Sequence, residues 1–332
     1  MTERRYDPTA DEWVTFATHR QDRTYLPSAD GCPLCPARPG RAPTEVASPA
    51  FQVVVFDNRF PAFAPAPPPP DVEPSPLFAV RPAFGRCEVV VYSDDHATAF
   101  ADLPTARIRM IVDVWADRVR TLGATPGISY VMPFENRGEA IGVTLTHPHG
   151  QIYGYPEVPP RPARELRAAQ AHLARTGRCV HCDVVAAERA GRADGPAGGP
   201  RIVLETETVI AFVPFWARFP YEVHVVPVAH RPSLPDLDDA ERDDLAEVLR
   251  RVTHGYDRLF GFRLPYVMAA HARPTDETQD WDPVSHLHVE FAPPHRTAEK
   301  LKYLAGSELA GGAFVTDVAP ERAAARLRGL MR

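Results

Sequence analysis

Five consecutive residues, His147-Pro148-His149-Gly150-Gln151, place three polar side chains at alternate positions. In an extended strand alternate residues share a face, so His147, His149 and Gln151 project together while Pro148 and Gly150 turn away. An isolated His-x-His is more often a zinc-ligand pair or a solvated strand than a reactive one. The rest of the sequence changes that weighing. Cys32 and Cys35 form a Cys-x-x-Cys pair, and with His96 they need one more ligand to complete a closed, structural Cys2His2 zinc site. His147 is assigned that position. His149 is then pinned beside the metal and left free to attack. Neutral imidazole is a competent nucleophile at phosphorus and leaves readily, so one hard transfer divides into two easier ones through a phosphoramidate. Gln151 is placed to donate to a phosphoryl oxygen as charge builds in the transition state.

The elements that must position these residues are written twice along the chain. Each half opens on a Cys-x-x-Cys pair, Cys32/Cys35 and Cys179/Cys182. Strand-like runs follow, first 53–56 and 209–213, then 88–92 running toward His96 and 222–226 running toward His230. An amphipathic helix succeeds each, with apolar residues at Ile108, Ile111, Val112, Trp115, Val119 and Leu122, and at Leu245, Val248, Leu249, Val252, Tyr256 and Leu259. The spacing between members is the same in both sets. Gly123 and Gly261 are expected to cap the helices, and Asp238 with Glu241 reads as a capping box at the start of the second. Strands over 128–132 and 265–268 come next, and each half closes on a His-x-His, His147/His149 and His286/His288. Two copies of a small α+β unit, each a meandering antiparallel sheet with one long helix, explain that order. By the repeat, Cys179, Cys182, His230 and His286 form a second Cys2His2 zinc site. His288 repeats the nucleophile, but Glu290 replaces Gln151, and a carboxylate repels an incoming phosphate.

Bulk properties narrow the partners. The chain has 332 residues, 44% hydrophobic, with a formal net charge of -6, which gives no general electrostatic attraction to nucleic acid or an anionic membrane. No apolar h-region follows the charged N-terminus and no apolar stretch reaches spanning length, so the expected location is the cytoplasm. In that reducing compartment, paired cysteines point to metal before disulfide. Cys87 stands alone in an apolar run and reads as a small buried residue. Many of the 37 prolines fall in 64–82, which is expected to be an exposed loop. Glycines concentrate in 190–200, close to the midpoint.

Phe134-Glu135-Asn136-Arg137-Gly138-Glu139 leading into His147-Pro148-His149-Gly150-Gln151 closely resembles the galactose-1-phosphate uridylyltransferase family of the histidine-triad superfamily, with similarity over nearly the whole chain. Glutamine in place of the third triad histidine separates transferases from hydrolases in that superfamily. The resemblance implies an α+β fold of two fused histidine-triad-like units joined into one continuous half-barrel-like sheet: residues 1–160 with the zinc site and active site, and residues 161–332 with a second metal site and a sugar-nucleotide loop. It implies ping-pong transfer of a uridylyl group from UDP-glucose to galactose 1-phosphate, giving glucose 1-phosphate and UDP-galactose through a uridylyl-His149 intermediate, and a homodimer.

Carried over residue by residue, the resemblance gives Arg20, Arg23, Asn58, Arg59, Asn136 and Thr144 as substrate contacts beside Gln151, and Lys302, Tyr303, Ser307 and Glu308 as the sugar loop. Ser307 stands where many relatives have tyrosine, so the acceptor sugar is less constrained than the transfer itself. The family's second metal, iron or zinc, corresponds here to Glu165, His271, His286 and His288. His286 cannot serve that set and the cysteine set in full, and thiolates bind zinc tightly, which favours the cysteines. Three rivals stand against this reading. One is a related transferase or phosphorylase acting on another sugar nucleotide or a dinucleoside polyphosphate. A second is a metallohydrolase using an open metal position, and a third is a zinc-stabilised binding module without chemistry.

Overall fold

A computed structural model describes residues 2–40, 43–191 and 201–331. Much of the glycine-rich midpoint segment, residues 192–200, lies outside them. In chain order the elements are β1 (Thr2–Asp7), β2 (Glu12–Ala17), β3 (Val54–Asp57), β4 (Val80–Pro82), β5 (Arg86–Val91), α1 (Thr105–Gly123), β6 (Tyr130–Arg137) and β7 (His149–Tyr155). The second half adds α2 (Pro160–Thr176), α3 (Val180–Ala190), β8 (Ile202–Glu205), β9 (Val209–Phe212), β10 (Val223–Pro227), α4 (Asp239–Leu259), β11 (Tyr266–His271), β12 (His288–Ala292) and α5 (Pro320–Arg328).

Nine strands form one open antiparallel sheet in the order β3-β5-β7-β6-β11-β12-β10-β9-β8. The sequence β3-β5-β7-β6 is answered across the midline by β11-β12-β10-β9, so the duplication seen in the sequence is a duplication of topology. The seam is the β6–β11 pair, with Arg137 opposite Tyr266 and Phe134 opposite Ala269. A self-complementary strand pair of this kind is how a two-fold homodimer joins its sheets. β1, β2 and β4 make a separate small sheet. Its strand β4 ends on Pro82 and pairs only with β1, which suits a residue with no N–H to donate.

Helices α1 and α4 lie against one face of the large sheet. The twelve apolar positions picked out by helical period are all buried there, alongside the inward residues Val90, Ile152, Val225, Val289 and Phe291. α4 starts at the expected capping box: the Glu241 N–H donates to Asp238 Oδ1 at 2.9 Å, and the Asp238 N–H donates to Glu241 Oε2 at 2.9 Å. Gly261 follows α4 with φ +79°, a conformation glycine adopts without penalty. Gly123 differs from expectation. It is the last residue of α1 and not its cap, and a Cβ there would lie 2.6 Å from Thr275 Cγ2, so its smallness serves packing. Cys87 is buried against Phe63 and Tyr153, as a small core residue should be.

Candidate functional site

The β5–β7 ladder sets Val91 opposite His149 and Val89 opposite Gln151. His149, Gln151 and Tyr153 therefore share the face away from α1, while Ile152 turns into the helix-covered core. Gly150 turns the same way as Ile152, and only glycine fits. A Cβ there would sit 1.9 Å from Tyr92 Oη and 3.0 Å from the Phe134 carbonyl oxygen. The backbone of the reactive strand is thus pressed onto Tyr92 from behind.

The His149 side chain is partly buried, and its Nδ1 donates to the His147 carbonyl oxygen at 2.7 Å. That bond fixes the proton on Nδ1 and leaves the Nε2 lone pair outward. Burial lowers its pKa below the ordinary imidazole value, so the ring is neutral near pH 7. Asn58 Nδ2 donates to Gln151 Oε1 at 3.4 Å, which turns the amide N–H groups of Gln151 toward the cleft. Asn58 is itself held by the Phe60 N–H at 2.9 Å.

His149 and Gln151 line one cleft with Arg23, Asn58, Arg59 and Thr144, floored by apolar residues including Phe56 and Leu145. Asn136 lines an adjoining hollow on the other flank of His149. Arg59 is also paired with Glu45 at 3.1 Å. Arg20 lies apart from Arg23: it donates to Tyr153 Oη at 3.3 Å, two residues beyond Gln151 on the same face. Tyr153 escaped the sequence reading, although the alternation from His147 through Gln151 extends to it. The loop residues are not in this cleft. Lys302 Nζ donates to Glu308 Oε1 at 2.9 Å and to the Val315 carbonyl, and Ser307 Oγ donates to the Ala313 carbonyl at 2.7 Å. Tyr303 projects outward, 74% exposed.

Behind the cleft, Cys32, Cys35, His96 and His147 come together with their ligand atoms within 4.8 Å of one another. Cys35 Sγ is 3.5 Å from both His96 Nδ1 and His147 Nδ1, and Cys32 Sγ is 3.9 Å from His147 Nδ1. The Ser93 carbonyl accepts from His147 Nε2 at 2.7 Å and so presents Nδ1 to the sulfurs. Burial pushes the Cys32 thiol up to about 11 and the His147 ring down to about 4. Two thiols and two imidazoles gathered this closely are the donor set that zinc takes.

The second half repeats this cluster. Cys179, Cys182, His230 and His286 form a group of the same kind, with both sulfurs 3.6–3.7 Å from His286 Nδ1 and Cys182 Sγ 3.6 Å from His230 Nδ1. His286 Nε2 donates to the Pro227 carbonyl at 2.9 Å, as His147 does to Ser93. Glu165, His271 and His288 gather as a third group. His286, whose Nδ1 faces the sulfurs, also lines the small hollow around that group, so the two ligand sets that share His286 adjoin there. His288 reproduces the pose of His149, its Nδ1 donating to the His286 carbonyl at 2.8 Å. Around it lie Glu290, His224, Glu222 and Arg161, a network the sequence reading had largely missed because its members are scattered over α2, β10, the residue just before β10, and β12.

Among the described residues, no helix is long and apolar enough to cross a membrane. Residues 1–159 match the N-terminal domain, and residues 177–332 the C-terminal domain, of galactose-1-phosphate uridyl transferase. The galactose-1-phosphate uridylyltransferase of Thermotoga maritima is 39% identical, the alignment covering 99% of this chain and 98% of that one. That of Streptomyces lividans is 38% identical over 98% of this chain and 86% of its own length. A solved uridylyltransferase superposes with a TM-score of 0.85 at 35% identity, covering 99% of this chain and 98% of that one. An ADP-glucose phosphorylase from Arabidopsis thaliana, at 23% identity and a TM-score of 0.74 over 99% of this chain and 98% of its own, shares the fold. Matches over both halves, at this identity and coverage, show that the chain belongs to the galactose-1-phosphate uridylyltransferase family.

Proposed function

We propose that this chain transfers a uridylyl group from UDP-glucose to galactose 1-phosphate, in two displacements at His149. The observation that carries this reading is the pairing of a His149 whose Nδ1 is tied to its own strand with a Gln151 whose amide is turned outward by Asn58. His149 Nε2 attacks the α-phosphorus, the N–P bond forms, and the bond to the oxygen of glucose 1-phosphate breaks. A phosphate oxygen of galactose 1-phosphate then attacks the same phosphorus, the N–P bond breaks, and UDP-galactose leaves with His149 restored. Gln151 donates to the phosphoryl oxygens in both transition states. Arg23, Asn58, Arg59, Thr144 and Asn136 hold the nucleotide and phosphates, with Arg20 acting at the Tyr153 end of the strand.

In this reading residues 1–160 carry the chemistry and residues 161–332 support it. Zinc held by Cys32, Cys35, His96 and His147 ties the reactive strand to the N-terminal loop, and a second zinc held by Cys179, Cys182, His230 and His286 does the same for β12. The Lys302–Glu308 pair shapes a loop that presents Tyr303, with Ser307 inside it, away from the cleft of its own chain. A homodimer in which that loop meets the other copy's sugar site fits this placement. A cytoplasmic location suits the free thiols. The hydrolase alternative requires an open metal position, and the Glu165–His271–His288 group is largely buried.

Mass spectrometry of the protein after UDP-glucose alone tests the proposal. A uridylyl adduct that is absent from His149→Ala supports it, and an unmodified wild-type protein overturns it. Exchange of label between UDP-glucose and glucose 1-phosphate, without acceptor sugar, separates this donor from ADP-glucose or a dinucleoside polyphosphate.

A further inference from the structure

The two halves differ behind the sheet as well as in front of it. On β6, Glu135 turns to the helix-covered face, since Met268, its partner across the seam, lies in the core. It is 4% exposed. Phe134 stands opposite Gln151 and Ala269 stands opposite Glu290, so the repeat position of Glu135 is Ala270. By the same ladders Gly150 answers to Val289, and Tyr92, two residues beyond the partner of Gly150, answers to Pro227. One half fills the space behind the strand with alanine, valine and proline. The half that carries His149 fills it with glutamate, glycine and tyrosine.

That exchange works against stability. Burying a carboxyl costs free energy unless it is paired and fully hydrogen-bonded. Burial pushes Glu135 up to about 7, against the pull of the Arg137 guanidinium. Tyr266 Oη donates to Glu135 Oε1 at 3.3 Å, while Oε2 has no hydrogen-bond partner among the described residues. Since Ala270 shows that the fold accepts an apolar residue here, packing does not call for the carboxyl. Departures of this kind gather where function sets the residue.

The contacts of the carboxyl show what it sets. Tyr266 belongs to β11, and the Arg137 guanidinium carbon lies 5.3 Å from the centroid of its ring. Arg137 Nη2 donates to Asp257 Oδ2 at 2.8 Å, and Asp257 Oδ1 accepts from the Leu264 N–H at 3.1 Å. The second half therefore grips β6 on both sides of Asn136. Asn136 itself turns to the opposite face and lines the hollow beside His149.

We infer that Glu135 is a positioning residue for the transfer: its carboxyl, held from the second half by the Tyr266 hydroxyl, fixes the stretch of β6 that presents Asn136 beside His149. The inference rests on the two-displacement reading proposed above. A misplacement of about 1 Å near the reacting atoms can cost on the order of 10^2-fold in rate.

The test is the single-turnover rate of adduct formation from UDP-glucose, read per active site so that unfolded protein lowers the amplitude and not the rate constant. Glu135→Ala is expected to slow adduct formation about 10-fold or more, with the UDP-glucose concentration at half-maximal rate changed by less than about threefold. Glu135→Gln keeps an oxygen for the Tyr266 hydroxyl and restores most of the rate. Tyr266→Phe slows the step by a smaller factor, and Glu135→Ala/Tyr266→Phe is no slower than Glu135→Ala alone, because both remove one interaction. A wild-type rate constant in Glu135→Ala overturns the inference, as do losses that multiply in the double variant. If Glu135→Ala does not fold, Tyr266→Phe carries the test, and a wild-type rate constant there overturns the inference as well. A wild-type protein that forms no adduct overturns the His149 reading itself, and this role with it.

Discussion

His149 and His288 stand at the same place in two copies of one fold, each with Nδ1 bonded to the carbonyl two residues back, yet their surroundings are opposite in character. His149 looks into a cleft with Arg23, Arg59 and the amide of Gln151, groups suited to an anion. His288 looks at Glu290, Glu165 and, beyond them, Glu222, groups suited to a cation. Backbone geometry alone does not make a histidine a nucleophile. The neighbours decide whether the ring meets phosphate or positive charge.

Removing the nucleophile breaks this comparison most sharply. His149→Ala is expected to lower the transfer rate on the order of 10^4-fold or more and to abolish the adduct, whereas His288→Ala still forms the adduct and lowers the melting temperature. Loss of the adduct in His288→Ala would mean that the second half takes part in the chemistry. Making the first half resemble the second comes next. Gln151→Glu replaces a donor by a carboxylate facing the α-phosphate, and a fall of about 10^2–10^3-fold in kcat is expected, read by steady-state kinetics. A rate near that of wild type would remove Gln151 from the transition state.

A packing difference between the halves gives a smaller effect. Gly150 lies on Tyr92 with no room for a Cβ, whereas the corresponding Val289 carries a full side chain buried in the core. Gly150→Ala should cost about 1–3 kcal/mol by overpacking, and Tyr92→Phe in the same chain should recover part of it, since Tyr92 Oη is the nearest obstacle. Denaturant midpoints for the single and double variants measure this. The smallest expected effect is on pH. Burial lowers the His149 pKa, and the neutral ring is the nucleophile, so adduct formation persists as pH falls through the usual imidazole range near 6.5 and is lost only below it. Single-turnover rates from pH 5 to 8 give the limb, and an apparent pKa above 6.5 would contradict the burial argument.

Both Cys2His2 groups were legible because a Cys-x-x-Cys spacing and a His-x-His alternation are local patterns, and the repeat supplied the order in which to pair them. The helical period of α1 and α4 was legible for the same reason, since burial of one face leaves its mark every three to four residues. Contacts that depend on register were not. The extension of β6 through Phe134–Arg137 and its pairing with β11 follow from which edges meet across the midline, and no short motif encodes that.

The sequence by itself determined the duplicated architecture, the first Cys2His2 group and the His149–Gln151 pair, because residue type and spacing on one strand fix what shares a face. Only the tertiary structure decided that His286 Nδ1 faces the Cys179 and Cys182 sulfurs while Glu165, His271 and His288 gather beside it, and that Lys302 and Glu308 pair with each other and not in the cleft of their own chain. These choices rest on distances between residues roughly 100 or more positions apart, or on the fold of a loop back onto itself. Such distances are set by sheet register and helix packing, which no local spacing encodes.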